Sequence, residues 1–182
     1  MKKKAEFTPW KTVKSKTIYK GKYLTFKHDD VLLPNSKAGV YDYIEKNDTI
    51  LIIPKLDDAF YLVQQYRYTV KQSLIEFPQG TCDAGEDLQT AAIRETEEEL
   101  GLKPQKIELL GRIFLAKGSS SQAINVFLAT HFEPGSIKLD STEQELIGMK
   151  VSEEKFREMI RSGQIIDSPT LAAYTLYQAI AT

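Results

Sequence analysis

The chain has 182 residues, 42% hydrophobic and 27% charged, with a formal net charge of −1. That balance belongs to a folded globular chain, and with no basic block in it nothing points to nucleic acid or an anionic membrane surface. No apolar run approaches the roughly 20 residues that cross a membrane. A single cysteine, Cys82, excludes an intramolecular disulfide framework and suits a reducing compartment. The basic start, MKKK, leads into no apolar h-region, so no signal peptide is expected and the expected location is the cytoplasm.

In chain order, residues 1–12 read as a loosely held arm anchored by Trp10. From Lys16 to Glu45 the pattern is β, with KTIYKG, KYLTFKHDDVLL, a Pro34-Asn35 turn and GVYDYIE. A segment of that size buries little core alone and is expected to pack on the main domain or on a second subunit. Residues 1–45 are therefore separated from a main domain at 46–182. TILIIP (Thr49 to Pro54), an Asp57-Asp58 turn and AFYLVQQYRY form a hairpin whose nearly continuous apolar runs predict strands buried on both faces. Further on, Ile107 to Leu115 and Ile124 to Thr130 are strands around the polar loop Lys117 to Gln122. A second polar loop covers 133–145, followed by a short apolar strand at Leu146 to Met149. Two closing helices are predicted, with Ser152 and Ser168 as N-caps and Gly163 ending the first. The order of strands and helices defines an α/β layer protein with a mixed sheet.

Between those strands lies residues 76–102, EFPQGTCDAGEDLQTAAIRETEEELGL. Asp87 is placed as N-cap and Gly101 as the C-terminal stop of a helix over Leu88 to Leu100. At about 100° per residue, Leu88, Ala91, Ala92, Glu95 and Glu99 fall on one stripe, with Glu98 at its edge. Like charges three and four apart cost a helix roughly 0.2–0.5 kcal/mol per pair, and an unpaired carboxylate facing inwards costs far more. A hard divalent cation with oxygen ligands resolves both problems. Glu95, Glu98 and Glu99 are thus candidate ligands for Mg²⁺, with Mn²⁺ as a second candidate.

The stretch resembles the Nudix hydrolases, whose motif is G-x5-E-x7-R-E-U-x-E-E-x-G-U with U a bulky aliphatic residue. The chain offers Gly80, Glu86, Arg94, Glu95, Thr96, Glu98, Glu99, Gly101 and Leu102 at those positions, departing only at Thr96. The resemblance implies an α/β/α sandwich, divalent-metal hydrolysis, and the Gln79 carbonyl as a further metal ligand. Arg94 is expected to orient a ligand carboxylate, and Glu86 to tie the loop to the helix. Gly80 and Gly85 let the backbone turn against the metal.

Outside the motif, the Ser141 to Ile147 segment resembles the E-x-E loop of ADP-ribose pyrophosphatases, making Glu145, then Glu143, candidates for the general base alongside Glu98. The Gln65-Tyr66-Arg67 segment resembles one in nucleoside-diphosphate-sugar hydrolases and nominates Arg67 for the diphosphate. Together with Glu76-x-Pro78-x-Gly80 and the β-rich N-terminus, it implies hydrolysis of nucleoside diphosphate sugars to a nucleoside monophosphate and a sugar phosphate. The same branch implies a homodimer through the N-terminal segment, with a base stacked on Tyr19, Tyr41 or Tyr43. Lys117-Gly118-Ser119 stands where ADP-ribose enzymes often carry a proline, which leaves GDP-mannose or broader sugar-nucleotide use open. The competing readings are a non-catalytic nucleotide-binding module and a Nudix enzyme acting on nucleoside triphosphates or dinucleoside polyphosphates.

Overall fold

The structure, a computed structural model, describes residues 7–82, 85–139, 141 and 143–180. The first six residues of the expected N-terminal arm, and Thr142 of the acidic loop, lie outside the described residues.

The chain forms two compact units: residues up to 47 with 116–122, and 48–115 with 123–182. The first unit is a three-stranded antiparallel sheet of β1 (Lys11–Lys20), β2 (Thr25–Leu32) and β3 (Ala38–Glu45), with β2 central. Strand β1 begins five residues before the expected Lys16, in the segment read as an arm, and all ten of its residues are exposed. No period-2 burial signal marked that start, because β1 has no buried face. Loop 116–122 belongs to this unit, since the Ile44 N–H donates to the Ser119 carbonyl at 2.8 Å and the Ser121 N–H to the Ile44 carbonyl at 3.0 Å.

The second unit is an α/β/α sandwich. It contains β4 (Thr49–Leu56), β5 (Ala59–Arg67), β6 (Gln72–Glu76), β7 (Gln79–Thr81), α1 (Leu88–Leu100), β8 (Leu102–Phe114), β9 (Ala123–Pro134), β10 (Ile147–Ser152), α2 (Glu153–Arg161) and α3 (Ser168–Ile180). The strand order is β10-β5-β4-β9-β8, with β4 and β9 parallel and the other pairs antiparallel, so the sheet is mixed. Alternation along β4 sorts the core. Leu51 and Ile53 pack under α2 and α3, while Ile50 and Ile52 pack against Ala91 and Ala92 of α1. Among the described residues, no helix is long and apolar enough to cross a membrane.

Phe60 centres the α2/α3 side. Its ring lies 5.7 Å from Phe77, 5.2 Å from Phe156, 5.9 Å from Tyr174 and 5.7 Å from Tyr177, all edge-on. Phe60→Ala is expected to cost about 3–5 kcal/mol, read as a fall in the urea midpoint. Tyr177, not Leu176, is the buried residue of the last helical turns, and the α3 cap is Asp167 rather than the expected Ser168. The Asp167 carboxylate accepts from the Thr170 N–H at 2.9 Å, a charged acceptor that outcompetes a serine hydroxyl one position on.

The site is positioned by a split in the sheet. Strand β5 pairs with β4 only at its start, through Lys55 and Leu56. It then pairs with β6 at 63–67, while β7 takes the vacated edge of β4 at 49–51. Residues 76–80 bridge that gap, and the glycine loop springs from it.

Candidate active site

Helix α1 forms where its local signals place it. The Asp87 carboxylate accepts from the Gln89 and Thr90 N–H groups, and Gly101 closes the helix at φ 66° with its N–H on the Glu97 carbonyl. Ala91 and Ala92 bring the helix close to β4, and the same face then buries Glu95, Thr96 and Glu99. Thr96, the one departure from the motif, is fully buried and donates its hydroxyl to the Ala92 carbonyl at 2.7 Å, so its extra polar atom is satisfied within the helix.

Arg94 organises the exposed side of the acidic row. Its Nε and Nη2 donate to the two oxygens of Glu86, both at 2.9 Å, and Nη1 reaches Glu95 Oε1 at 2.9 Å and Glu98 Oε2 at 3.0 Å. Nη2 also meets the Thr81 carbonyl at 3.2 Å. The guanidinium therefore ties the glycine loop to two carboxylates of the helix, and these contacts raise its pKa further. A lysine cannot span three carboxylates at once. Arg94→Lys is expected to weaken metal affinity and activity about 10–100-fold, measured as the Mg²⁺ dependence of turnover. Gly80 is required by close approach: a Cβ there would stand 2.1 Å from Glu95 Cδ.

Behind that layer lies a group of acids from four parts of the chain. Burial pushes the Glu95 carboxyl up to about 7 against the pull of Arg94, and the charges of Glu143 and Glu98 add to the rise. Glu99, 2% exposed, is held well above the ordinary carboxylate range by burial, then by the charges of Glu95, Glu143 and Glu76. Both Glu99 oxygens are buried without a hydrogen-bond partner. Glu76, at the end of β6, is also pushed up to about 7 by burial, although Arg67 lies against it with Nε at 2.8 Å and Nη2 at 2.7 Å from Oε1. The Gln79 amide donates to Glu76 Oε2 at 3.2 Å and to Asp167 Oδ2 at 3.3 Å, pinning the residue that precedes Gly80.

A divalent cation fits this donor set by its chemistry. The donors are all oxygen, the deepest carboxylate is orphaned, and its neighbours are like-charged. Among the described residues no three acidic, histidine or cysteine side chains already close into a ligand cage. Mg²⁺ needs no such cage, because it keeps waters and substrate phosphates among its ligands.

Of the residues singled out in the sequence, the structure gathers Arg67, Gln79, Gly80, Glu86, Arg94, Glu95, Glu98, Glu99 and Glu143 around the sheet split. Glu145, the first choice on loop position, is exposed and lines a separate groove with Tyr66 and Gln144. The charge of Glu143 is felt by both buried helix acids. Tyr19 and Tyr43 sit in the N-terminal unit. Tyr19 is exposed, whereas Tyr43 shares a pocket of about 280 Å³ with Tyr41, Lys117, Ser120 and Ser121. Burial, then the charge of Asp29, raises the Tyr43 pKa. Glu76 and Asp167 join the site from outside the motif that runs from Gly80 to Leu102. The local mark of Glu76 is its place between apolar Ile75 and Phe77.

A mixed sheet between helices, with buried helix carboxylates under a glycine loop, is the architecture of divalent-metal hydrolases of the Nudix class. The NUDIX domain family matches residues 46–165, and the nucleoside diphosphate sugar hydrolase N-terminal domain matches residues 10–44. The chain belongs to the NUDIX domain family. It is 26% identical over 170 residues to an ADP-ribose pyrophosphatase of Bacillus subtilis (strain 168), covering 92% of each chain. It is likewise 26% identical over 170 residues to a protein of Bacillus methanolicus named methanol dehydrogenase activator, again covering 92% of each. A solved ADP compounds hydrolase shares the fold with a TM-score of 0.84 at 21% identity, covering 96% of this chain and 95% of that one.

Proposed function

We propose that the protein is a divalent-metal-dependent pyrophosphohydrolase that splits nucleoside diphosphate sugars, ADP-ribose among them, into a nucleoside monophosphate and a sugar phosphate. The observation that carries this reading is the orphaned carboxylate of Glu99, buried among Glu95, Glu76 and Glu143 beside the only arginine of β5. The family matched by the N-terminal segment, and the names of the B. subtilis relative and the solved neighbour, support the substrate class.

Glu95, Glu98, Glu99 and the Gln79 carbonyl would hold the cation, Mg²⁺ first and Mn²⁺ second. When bound, it neutralises phosphate charge and makes a water more acidic. Arg67 spends Nε and Nη2 on Glu76, and Nη1, on a side chain about a third exposed, is left for a diphosphate oxygen. Glu143 takes the proton of the attacking water, in preference to Glu145, because it lies among the acids. Glu98 is the third candidate. Arg94 and Glu86 hold the ligand carboxylates in place. The N-terminal segment, residues 1–45, supplies base stacking through Tyr19 and Tyr43 and pairs two copies as a homodimer. The enzyme works in the cytoplasm.

The test is a panel of nucleotide sugars, dinucleoside polyphosphates and triphosphates with Mg²⁺, with both products identified. Nucleoside monophosphate plus sugar phosphate is the expected pair, and triphosphates as the sole good substrates would sink the reading. The B. methanolicus relative's name motivates one alternative, a nucleotide-binding regulator. Binding without turnover, unchanged by Glu98→Gln, would select it.

A further inference from the structure

Residues 76–80 cross the split in the sheet, and the path of that crossing sets where two groups of the site lie. Glu76 ends β6 opposite Val63, and Gln79 opens β7 opposite Leu51. The Ile52 N–H of β4 holds the crossing from one strand, donating to the Pro78 carbonyl at 2.9 Å. A second hold comes from the first turn of α3. The Phe77 N–H donates to Thr170 Oγ1 at 3.0 Å, and that hydroxyl donates in turn to Asp167 Oδ2 at 2.8 Å. Phe77 and Thr170 are fully buried, so water cannot replace these bonds.

Asp167 carries more than a helix cap. A cap needs one acceptor for the N–H groups of the first turn, and serine supplies it about as well as aspartate. Here a single oxygen, Oδ2, accepts from the Thr170 N–H at 2.9 Å, from the Thr170 hydroxyl and from Gln79 Nε2 at 3.3 Å. Gln79 Nε2 also donates to Glu76 Oε2 at 3.2 Å, so both of its hydrogens are spent. The amide thus joins two carboxylates that would otherwise repel. Glu76 Oε1 takes Arg67, with Nε at 2.8 Å and Nη2 at 2.7 Å. A continuous chain of hydrogen bonds therefore runs from Asp167 through Gln79 and Glu76 to the Arg67 guanidinium.

We propose that Asp167 is a positioning residue for the hydrolysis: through the Gln79 amide it fixes where Glu76 holds Arg67 and where the Gln79 backbone lies in the site. It acts through these residues and not by touching the substrate. The inference rests on the hydrolase reading above and adds the start of α3 to the parts that set the geometry of the reaction.

The test uses the full-length protein with saturating Mg²⁺ and ADP-ribose, and reads kcat/KM beside the melting temperature. Asp167→Ser keeps a helix cap, but its shorter side chain cannot also serve Gln79. It is expected to lower kcat/KM about tenfold, the order for one lost hydrogen bond, while the melting temperature stays within a few degrees of wild type. Asp167→Asn keeps an acceptor at the same reach and is expected to restore most of that loss. The second arm starts from Gln79→Ala, which keeps the backbone carbonyl and removes the amide. In that background Asp167→Ser should cost less than about twofold further, because the link it breaks is already gone. A further loss above that would overturn the proposal and leave the hydrolase reading intact. So would an unchanged kcat/KM in Asp167→Ser, or an Asp167→Asn variant as slow as Asp167→Ser; Asp167 would then be a helix cap alone. A wild type that splits no nucleotide sugar would instead remove the hydrolase reading, and this inference with it.

Discussion

Glu99→Gln is expected to lower kcat about 10³-fold and, in metal-free protein at pH 8, to raise the melting temperature by several degrees. The two changes have one cause. The Glu99 carboxylate is buried, 2% exposed, without a hydrogen-bond partner, and faces the charges of Glu95, Glu143 and Glu76. Glutamine keeps its shape and cannot ionise, so the metal-free fold no longer holds an ionisable carboxyl in a buried, like-charged place, a gain read at about 2–4 °C per kcal/mol for a chain of this size. The same change deletes a proposed metal ligand, and a catalytic cation contributes several kcal/mol to the transition state, or about 10³-fold in rate. Turnover assays and thermal melts on the same preparation check both. A variant that is less stable without metal, or that keeps its activity, would remove Glu99 from the metal site.

The second large effect is the pH dependence of stability and its reversal by Mg²⁺. Glu76 and Glu95 titrate near 7, and Glu99 well above its ordinary 4.5, chiefly because burial disfavours their charged forms. Folded-state values raised above the unfolded 4.5 contribute stability below that pH. The contribution is lost as pH rises through about 7, and further still for Glu99. The metal-free protein should therefore melt at progressively lower temperature between pH 5 and pH 8. A cation binds the deprotonated acids, so the stabilisation by Mg²⁺ should grow over the same range and release protons. At about 100 times its dissociation constant the ion contributes about 2.7 kcal/mol. Melting curves at both pH values, with Mg²⁺ and with a chelator, decide it. A Mg²⁺ shift as large at pH 5 as at pH 8 would contradict the assignment of these acids.

Much of the site was legible because it is local. Helix α1 carries its own N-cap in Asp87 and stop in Gly101, and its period puts Ala91, Ala92, Glu95 and Glu99 on one face whatever surrounds it. The motif spacing that marks Gly80 is equally local, although the reason no side chain fits there is the approach of Glu95, fifteen residues on. The alternating and continuous apolar runs likewise placed β4 and β5.

What the sequence determined by itself was thus the α/β class, the acidic helix and the demand for a cation. Tertiary structure decided which other groups meet that helix. The split between β4 and β5 lets residues 76–80 cross the sheet, sets Glu76 against Arg67, and ties Gln79 to Asp167 at the start of α3. It also turned the 143–146 loop so that Glu143 joins the buried acids and Glu145 lines the groove beside β5. Helix and strand periods follow from the backbone of a few consecutive residues. Electrostatic convergence depends on distances between segments far apart in the chain, and those are set only when the sheet closes.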